Sequence, residues 1–178
     1  MDGMSMAEQL SNDFIQALKT LSERLKDQNI PWVFDGSVSL ALQGVNVKPG
    51  DIDIITDKTG VYKINELLKD YETKKVEFKE ADTFKSYLGE FKINDVKIEV
   101  MGEFQEKAKR KWFNSKARLA SPIIIQFDGM QLPVSPLLLQ LRSYESALRP
   151  KDAAKVIAIK ATLANRQGVD TREIKSFR

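Results

Sequence analysis

The order of periodic segments predicts an α+β fold: helix, short strand, helix, strand, helix, a hairpin, and a helical final third. Three observations carry this. Apolar residues recur every three and four positions over residues 7–28, Asp51–Ile55 alternates with period two, and Asn94-Asp95 and Asp128-Gly129 separate β-forming runs as tight turns. The size agrees with one globular unit: 178 residues, 42% hydrophobic and 30% charged, exclude a disordered chain. A chain of this length buries roughly 70% of its unfolded surface and needs no disulfide or zinc staple.

The elements follow in order. Residues 7–28 align Leu10, Phe14, Ala17, Leu18, Leu21 and Leu25 on one helical face, and Asn29 with Pro31 ends the helix. Trp32-Val33-Phe34 reads as a buried strand that stops at Asp35-Gly36-Ser37, and Val38–Gln43 as a short helix begun by a hydroxyl cap. Residues 44–50 form a loop, Asp51–Ile55 a strand, and residues 59–70 a helix. Residues 83–92 and 95–101 form the hairpin, the basic segment 105–118 reads as helical, and Ile123–Phe127 and Met130–Pro133 are a second strand pair. Helices run from Ser135 to Ala147 and, after the break at Arg149-Pro150, to about Arg166 and Gly168, with a last short helix from Asp170 or Thr171. These elements divide the chain into a main body, residues 1–134, and a helical C-terminal segment, residues 135–178, packed on the same domain.

Composition removes whole classes of chemistry. With no cysteine and no histidine, thiol nucleophiles, iron–sulfur clusters, Ser-His-Asp triads and zinc sites built on His or Cys are excluded. Catalysis is left to carboxylates, Lys, Arg, hydroxyls and hard metal ions. No apolar run reaches about 18 residues and the N-terminus has no secretory h-region, so the expected location is cytoplasmic, without membrane contact.

The net charge of +3 is unevenly spread. Residues 105–118 hold six basic residues and one acid, and residues 149–178 hold eight and three, leaving the rest of the chain net acidic. Basic stretches on an acidic body suit a triphosphate or nucleic acid, and they read equally as solvated helix faces. Trp112 and Phe113 beside Lys109, Arg110, Lys111 and Lys116 make residues 105–118 the candidate RNA contact, or an aromatic anchor of a basic helix.

Three motifs carry chemistry. Gly36-Ser37, between a strand and a helix, offers close backbone approach, free N–H groups and a hydroxyl to a phosphate; an ordinary capped turn has the same sequence. Asp51-x-Asp53 puts two carboxylates on one face of a strand, where they repel unless a cation such as Mg²⁺ lies between them. Glu99, in Asp95–Met101, is either a wet residue of an edge strand or, if that strand neighbours Asp51–Ile55, a third acid able to help hold two metals for phosphoryl displacement.

Together these resemble the nucleotidyltransferase superfamily of the DNA polymerase β type, through FDGSVSLALQGVNVKPGDIDIITD at residues 34–57 and VKIEVMGEF at 96–104. The likeness is strongest to minimal and antibiotic-modifying (lincosamide-type) members, and extends more loosely over residues 133–156. It implies a small mixed β-sheet with packed helices. It implies that Gly36 and Ser37 bind the triphosphate, that Asp51 and Asp53 bind metal, and that Glu99 is the third metal-site acid and helps deprotonate the attacking hydroxyl. Where relatives often carry His or Arg before the acid pair, this chain has Lys48-Pro49-Gly50, and Lys48 takes the phosphate role or is a loop charge. Lys151 and Arg149, with Asp152 at a helix start, face the nucleotide or a polar acceptor, or belong to a salt-bridged helix junction.

The function expected from this resemblance is Mg²⁺- or Mn²⁺-dependent transfer of a nucleoside monophosphate from an NTP such as ATP, with pyrophosphate released. The acceptor is a hydroxyl on a small molecule, a tRNA or a protein. The rival is a non-catalytic binding module of the same fold, of toxin–antitoxin or regulatory type; three costly like charges kept together argue against it.

Overall fold

Ser11 opens the first helix. Its hydroxyl accepts a hydrogen bond from the Phe14 N–H, and α1 runs from Asn12 to Leu25. The structure, a computed structural model, describes residues 10–147 and 149–166. Residues 7–9 of the expected first helix, the end signal at Gly168 of the helix that follows Arg149-Pro150, and the short helix expected from Asp170 or Thr171 lie outside the described residues. The elements that follow are β1 (Trp32–Asp35), α2 (Gly36–Leu42), β2 (Ile52–Thr56), α3 (Lys58–Leu67), β3 (Glu72–Glu80), β4 (Phe84–Ile93), β5 (Val96–Ala108) and β6 (Lys111–Asn114). Then come α4 (Lys116–Ala120), β7 (Ile123–Phe127), β8 (Met130–Val134), α5 (Leu137–Ala147), a 3-10 turn (Pro150–Asp152) and α6 (Ala153–Arg166).

One mixed sheet carries the order β3-β4-β5-β2-β1-β8-β7, with β6 paired to the far end of β5. β2 runs antiparallel to β1 and parallel to β5, and β1 runs parallel to β8. The α+β class and the mixed sheet agree with the sequence reading. On one face, Ala17, Leu18, Leu21 and Leu25 of α1 pack in a core with Phe34, Ile52, Ile54, Ile98 and Val100. A second cluster joins Leu40 of α2 to Leu137 and Tyr144 of α5 and Ile159 of α6, so the C-terminal helices rest on the helix that follows β1. A buried amide network ties the same pieces: Gln43 and Gln140 each donate to the Ser135 carbonyl at 2.9 Å, and Gln140 also donates to the Ser39 hydroxyl at 2.9 Å.

Three local expectations change. The basic segment is not a helix: β5 continues through it to Ala108, Lys109 and Arg110 turn the chain at φ +48° and +65°, and β6 returns along β5. Ala, Lys and Arg favour helix in isolation, but β6 gains a ready-made ladder along β5 from Gln105 to Ala108, and Trp112 lies under Lys85 at 4.2 Å and Lys107 at 5.6 Å. The helix after β1 begins at Gly36, with Asp35 in the cap position and no side-chain capping bond, so Ser37 lies within the first turn. Residues 72–80 form β3, an edge strand not anticipated because Val76 and Phe78 are its only apolar residues in an otherwise exposed, lysine- and glutamate-rich run.

Candidate active site

β2 starts its alternation with Asp51 just outside and Asp53 inside the strand; Ile52, Ile54 and Ile55 are fully buried, while Asp51 and Asp53 are half-buried. The parallel pairing of β2 with β5 sets Asp53 opposite Glu99. One oxygen from each of Asp51, Asp53 and Glu99 lies within 4.8 Å of the others. Octahedral Mg²⁺ holds oxygens at about 2.1 Å, so cis oxygens stand about 3 Å apart, and small side-chain rotations bring this trio to that spacing. The donor set, three hard carboxylate oxygens, fits Mg²⁺ or Mn²⁺.

Gly36 abuts the trio. Its φ is +63°, and a β-carbon there would lie 2.3 Å from Asp53 Oδ2. Glycine is thus required twice, by the left-handed backbone and by the close approach of the Asp53 carboxyl. Asp35, before it, is paired in register with Asp53. Burial, then the charges of Asp51, Asp35 and Glu99, push the Asp53 carboxyl up to about 8, with Lys155 pulling the other way. Burial and these neighbouring charges together hold the carboxyl neutral near neutral pH, and a bound cation would offset both.

Gly36 and Ser37, the three acids and Lys151 line one cavity of about 430 Å³. Lys48 does not line it and is exposed on the loop before β2. The cavity is closed on its far side by Arg149, which the sequence offered beside Lys151, and by Asp35, Glu106, Arg118, Ser143 and Lys155, which it did not assign to the site. Arg118 of α4 is buried and donates to Asp35 at 2.9 Å and to Glu106 at 3.1 Å; Ser143 also donates to Glu106. Burial opposes the Arg118 charge, but Asp35 and Glu106 keep its proton held more tightly than usual. Arg149 pairs with Asp152 at 2.6 Å, and Lys155 lies 3.7 Å from Asp152 and 5.0 Å from the Tyr144 ring. Burial, followed by Asp35, Asp152 and Asp53, pushes the Tyr144 phenol up, so it stays protonated.

Lys97 caps Glu99 at 2.5 Å and reaches Glu90 at 3.6 Å. The hydrogen bond that Lys97 donates to Glu99 raises its ammonium above the ordinary range, while the one Glu90 accepts from Lys74 lowers the Glu90 carboxyl. Within β5, Glu103 has φ +51°, and the β4 register shifts by one between Lys85 and Tyr87. This bulge changes which residues face the cavity: Glu99 and Met101 before it, Phe104 and Glu106 after it. Strict alternation would instead have turned Glu103 and Gln105 inward. Of the basic segment, Lys109, Arg110 and Lys111 are exposed at the hairpin tip, whereas Arg118 is committed to the cavity wall.

No helix among the described residues is long and apolar enough to cross a membrane. The sequence profile of the aminoglycoside-2''-adenylyltransferase family matches residues 17–158. No curated protein matches the chain. Among solved structures, a candidate nucleotidyltransferase of Thermotoga maritima (TM1012) is 30% identical, with 88% of this chain and 96% of that chain covered and a TM-score of 0.72. ANT(2'')-Ia in complex with adenylyl-2''-tobramycin shares the fold at 14% identity, 90% and 92% coverage and a TM-score of 0.60. The lincosamide adenylyltransferase LnuA with lincomycin does so at 15% identity, 86% and 98% coverage and a TM-score of 0.55. The chain belongs to the aminoglycoside-2''-adenylyltransferase family, and it is a nucleotidyltransferase.

Proposed function

We propose that this protein transfers the nucleoside monophosphate of a metal-bound NTP, ATP first among them, to a hydroxyl of a small acceptor, with loss of pyrophosphate. The observation that carries the reading is the meeting of Asp51, Asp53 and Glu99 oxygens within 4.8 Å beside the left-handed Gly36 turn. Asp51 and Asp53, with Glu99, would hold Mg²⁺, which when bound neutralises charge on the phosphates and polarises the α-phosphorus. Gly36 and Ser37 bring backbone N–H groups and a hydroxyl to the phosphates, and Lys151 and Lys155 supply positive charge from the opposite wall. Glu99 accepts the proton of the acceptor hydroxyl as its oxygen bonds to the α-phosphorus, and Lys97 holds that carboxylate in place.

The division of labour follows the chain. Residues 1–134 contribute the acids and the phosphate turn, and the helical segment from 135 brings the cations to the far wall. Metal dependence is supported by the raised Asp53 carboxyl, and a cytoplasmic protein with NTP and Mg²⁺ at hand is the setting this chemistry needs. The test is direct: ATP affinity measured by calorimetry with Mg²⁺ and with excess chelator, alongside pyrophosphate release against a panel of hydroxylated small molecules and tRNA. Equal ATP affinity in both conditions would overturn the metal site.

A further inference from the structure

The two ends of the sheet are built differently. β3, at one end of the order, carries six charged residues among its nine and shifts register twice against β4, and both features discourage a further strand from joining it. β7, at the other end, has neither. From Leu119 to Phe127 the chain bears no charge, and the charges on either side are engaged: Arg118 holds Asp35 and Glu106, and Asp128 pairs with Lys19 at 2.8 Å. Ile123 is 44% exposed and Ile124 52%. Among the described residues β7 pairs with β8 alone. The hairpin decides which backbone groups face the free edge. Asp128 and Gly129 turn the chain at φ +47° and +75°, and the residues flanking such a two-residue turn, Phe127 and Met130, exchange both their hydrogen bonds. Ile125 and Ile123 bond to β8 in the same way, so the N–H and C=O of Ile124 and Gln126 point outward.

We propose that β7 pairs with the β7 of a second copy of this chain, antiparallel about a two-fold axis at Ile125. This axis pairs all five residues of the strand; an axis one residue to either side pairs only three. Ile124 of each copy then lies opposite Gln126 of the other, and the two pairs close four backbone hydrogen bonds from groups that otherwise face water. Ile123 lies opposite Phe127 on the face that carries the α1 core, where Phe127 is already buried and Ile125 packs against it. No like charges meet across the seam, because the strand has none. Each copy spends its one free β7 edge, so association closes at two. The seam is about 17 Å long and belongs with the small interfaces under about 1,200 Å², which gives a reversible pair with a Kd of about 10–100 μM. β7 stands three strands from β2 in the order, so each copy keeps its own acid trio.

The experiment is sedimentation velocity on the full chain from about 5 to about 500 μM, a range that brackets the expected Kd. A reversible monomer–dimer equilibrium is expected. Gln126→Pro removes an outward N–H and leaves the β8 ladder intact, and should weaken the dimer at least about tenfold while the Tm is kept. Should that variant fail to fold, Ile124→Lys at an exposed position carries the same test. The register is read by cross-linking, since the chain has no cysteine of its own. Across a non-hydrogen-bonded antiparallel pair the Cα atoms stand about 4.5 Å apart, within disulfide reach, so Ile125→Cys should give a covalent dimer under mild oxidation. Ile124→Cys, whose two copies are offset along the seam, should link more slowly. A monomer at every concentration overturns the proposal, as do species that grow beyond two copies. A dimer untouched by both Gln126→Pro and Ile124→Lys places the contact elsewhere, and faster linking at Ile124→Cys than at Ile125→Cys refutes the axis.

Discussion

Replacing the Asp53 carboxyl by an amide removes the most costly charge in the site. In the unfolded chain this group ionises near 3.8, and in the folded one near 8. At pH 7 the folded protein must therefore take up a proton that the unfolded chain has released, at up to about 4 kcal/mol from 1.36 kcal/mol per pH unit. Water entering the open cavity relieves part of this, so Asp53→Asn should stabilise the metal-free protein by roughly 2–3 kcal/mol, or about 5–10 °C in Tm for a chain of this size. The sign follows from the raised folded value. Wild-type stability from this group is complete below about pH 4 and is lost as pH rises through about 8. The Tm advantage of the variant should accordingly shrink by half or more at pH 5 and be largest at pH 8. Saturating Mg²⁺ with an NTP should raise the wild-type Tm and leave the variant nearly unmoved. Differential scanning calorimetry at pH 5, 7 and 8, with and without Mg²⁺ and ATP, reads all of this. An equal Tm difference at every pH, or a variant whose Tm still climbs with Mg²⁺-ATP, would refute the reasoning.

Glu99→Gln should keep Mg²⁺-dependent NTP binding but lower turnover by about 10²- to 10⁴-fold, the usual worth of a lost proton acceptor; unchanged turnover would place Glu99 outside the reaction. Gly36→Ala should cost about 1–2 kcal/mol from the left-handed backbone alone, and should also displace Asp53, so that nucleotide affinity falls further than stability does. Urea unfolding beside an ATP titration separates the two. Arg118→Met leaves Asp35 and Glu106 without a counter-charge and should destabilise the fold by about 3–5 kcal/mol. Adding Asp35→Asn and Glu106→Gln to that variant should restore much of the loss in the same urea assay.

Much of this molecule was legible before its fold. The three-and-four spacing of α1, the alternation of β2 and the tight turns at Asn94-Asp95 and Asp128-Gly129 are local signals, and each element lies within a few residues of its expected place. The candidate site was legible for a related reason: a glycine turn and an Asp-x-Asp strand are short patterns whose geometry is set by their own backbone.

The sequence by itself determined the types of α1, β1, β2 and the β4–β5 hairpin, the acid pair on one strand face and the exclusion of thiol and imidazole chemistry. The tertiary structure decided what those pieces meet. Glu99 is a third acid only because β5 lies parallel to β2, a pairing between distant segments. The basic segment is a hairpin because β5 gives it a ladder to join, whatever its own helix propensity. Arg118 looked like one more surface cation, yet it is buried against Asp35, 83 positions away in the chain. The bulge at Glu103 reverses which side of β5 faces the cavity, and nothing in a period-two pattern announces a single extra residue. Periodicity is a property of the backbone and its nearest neighbours; strand partners, bulges and buried ion pairs are chosen by the free energy of the whole packed chain.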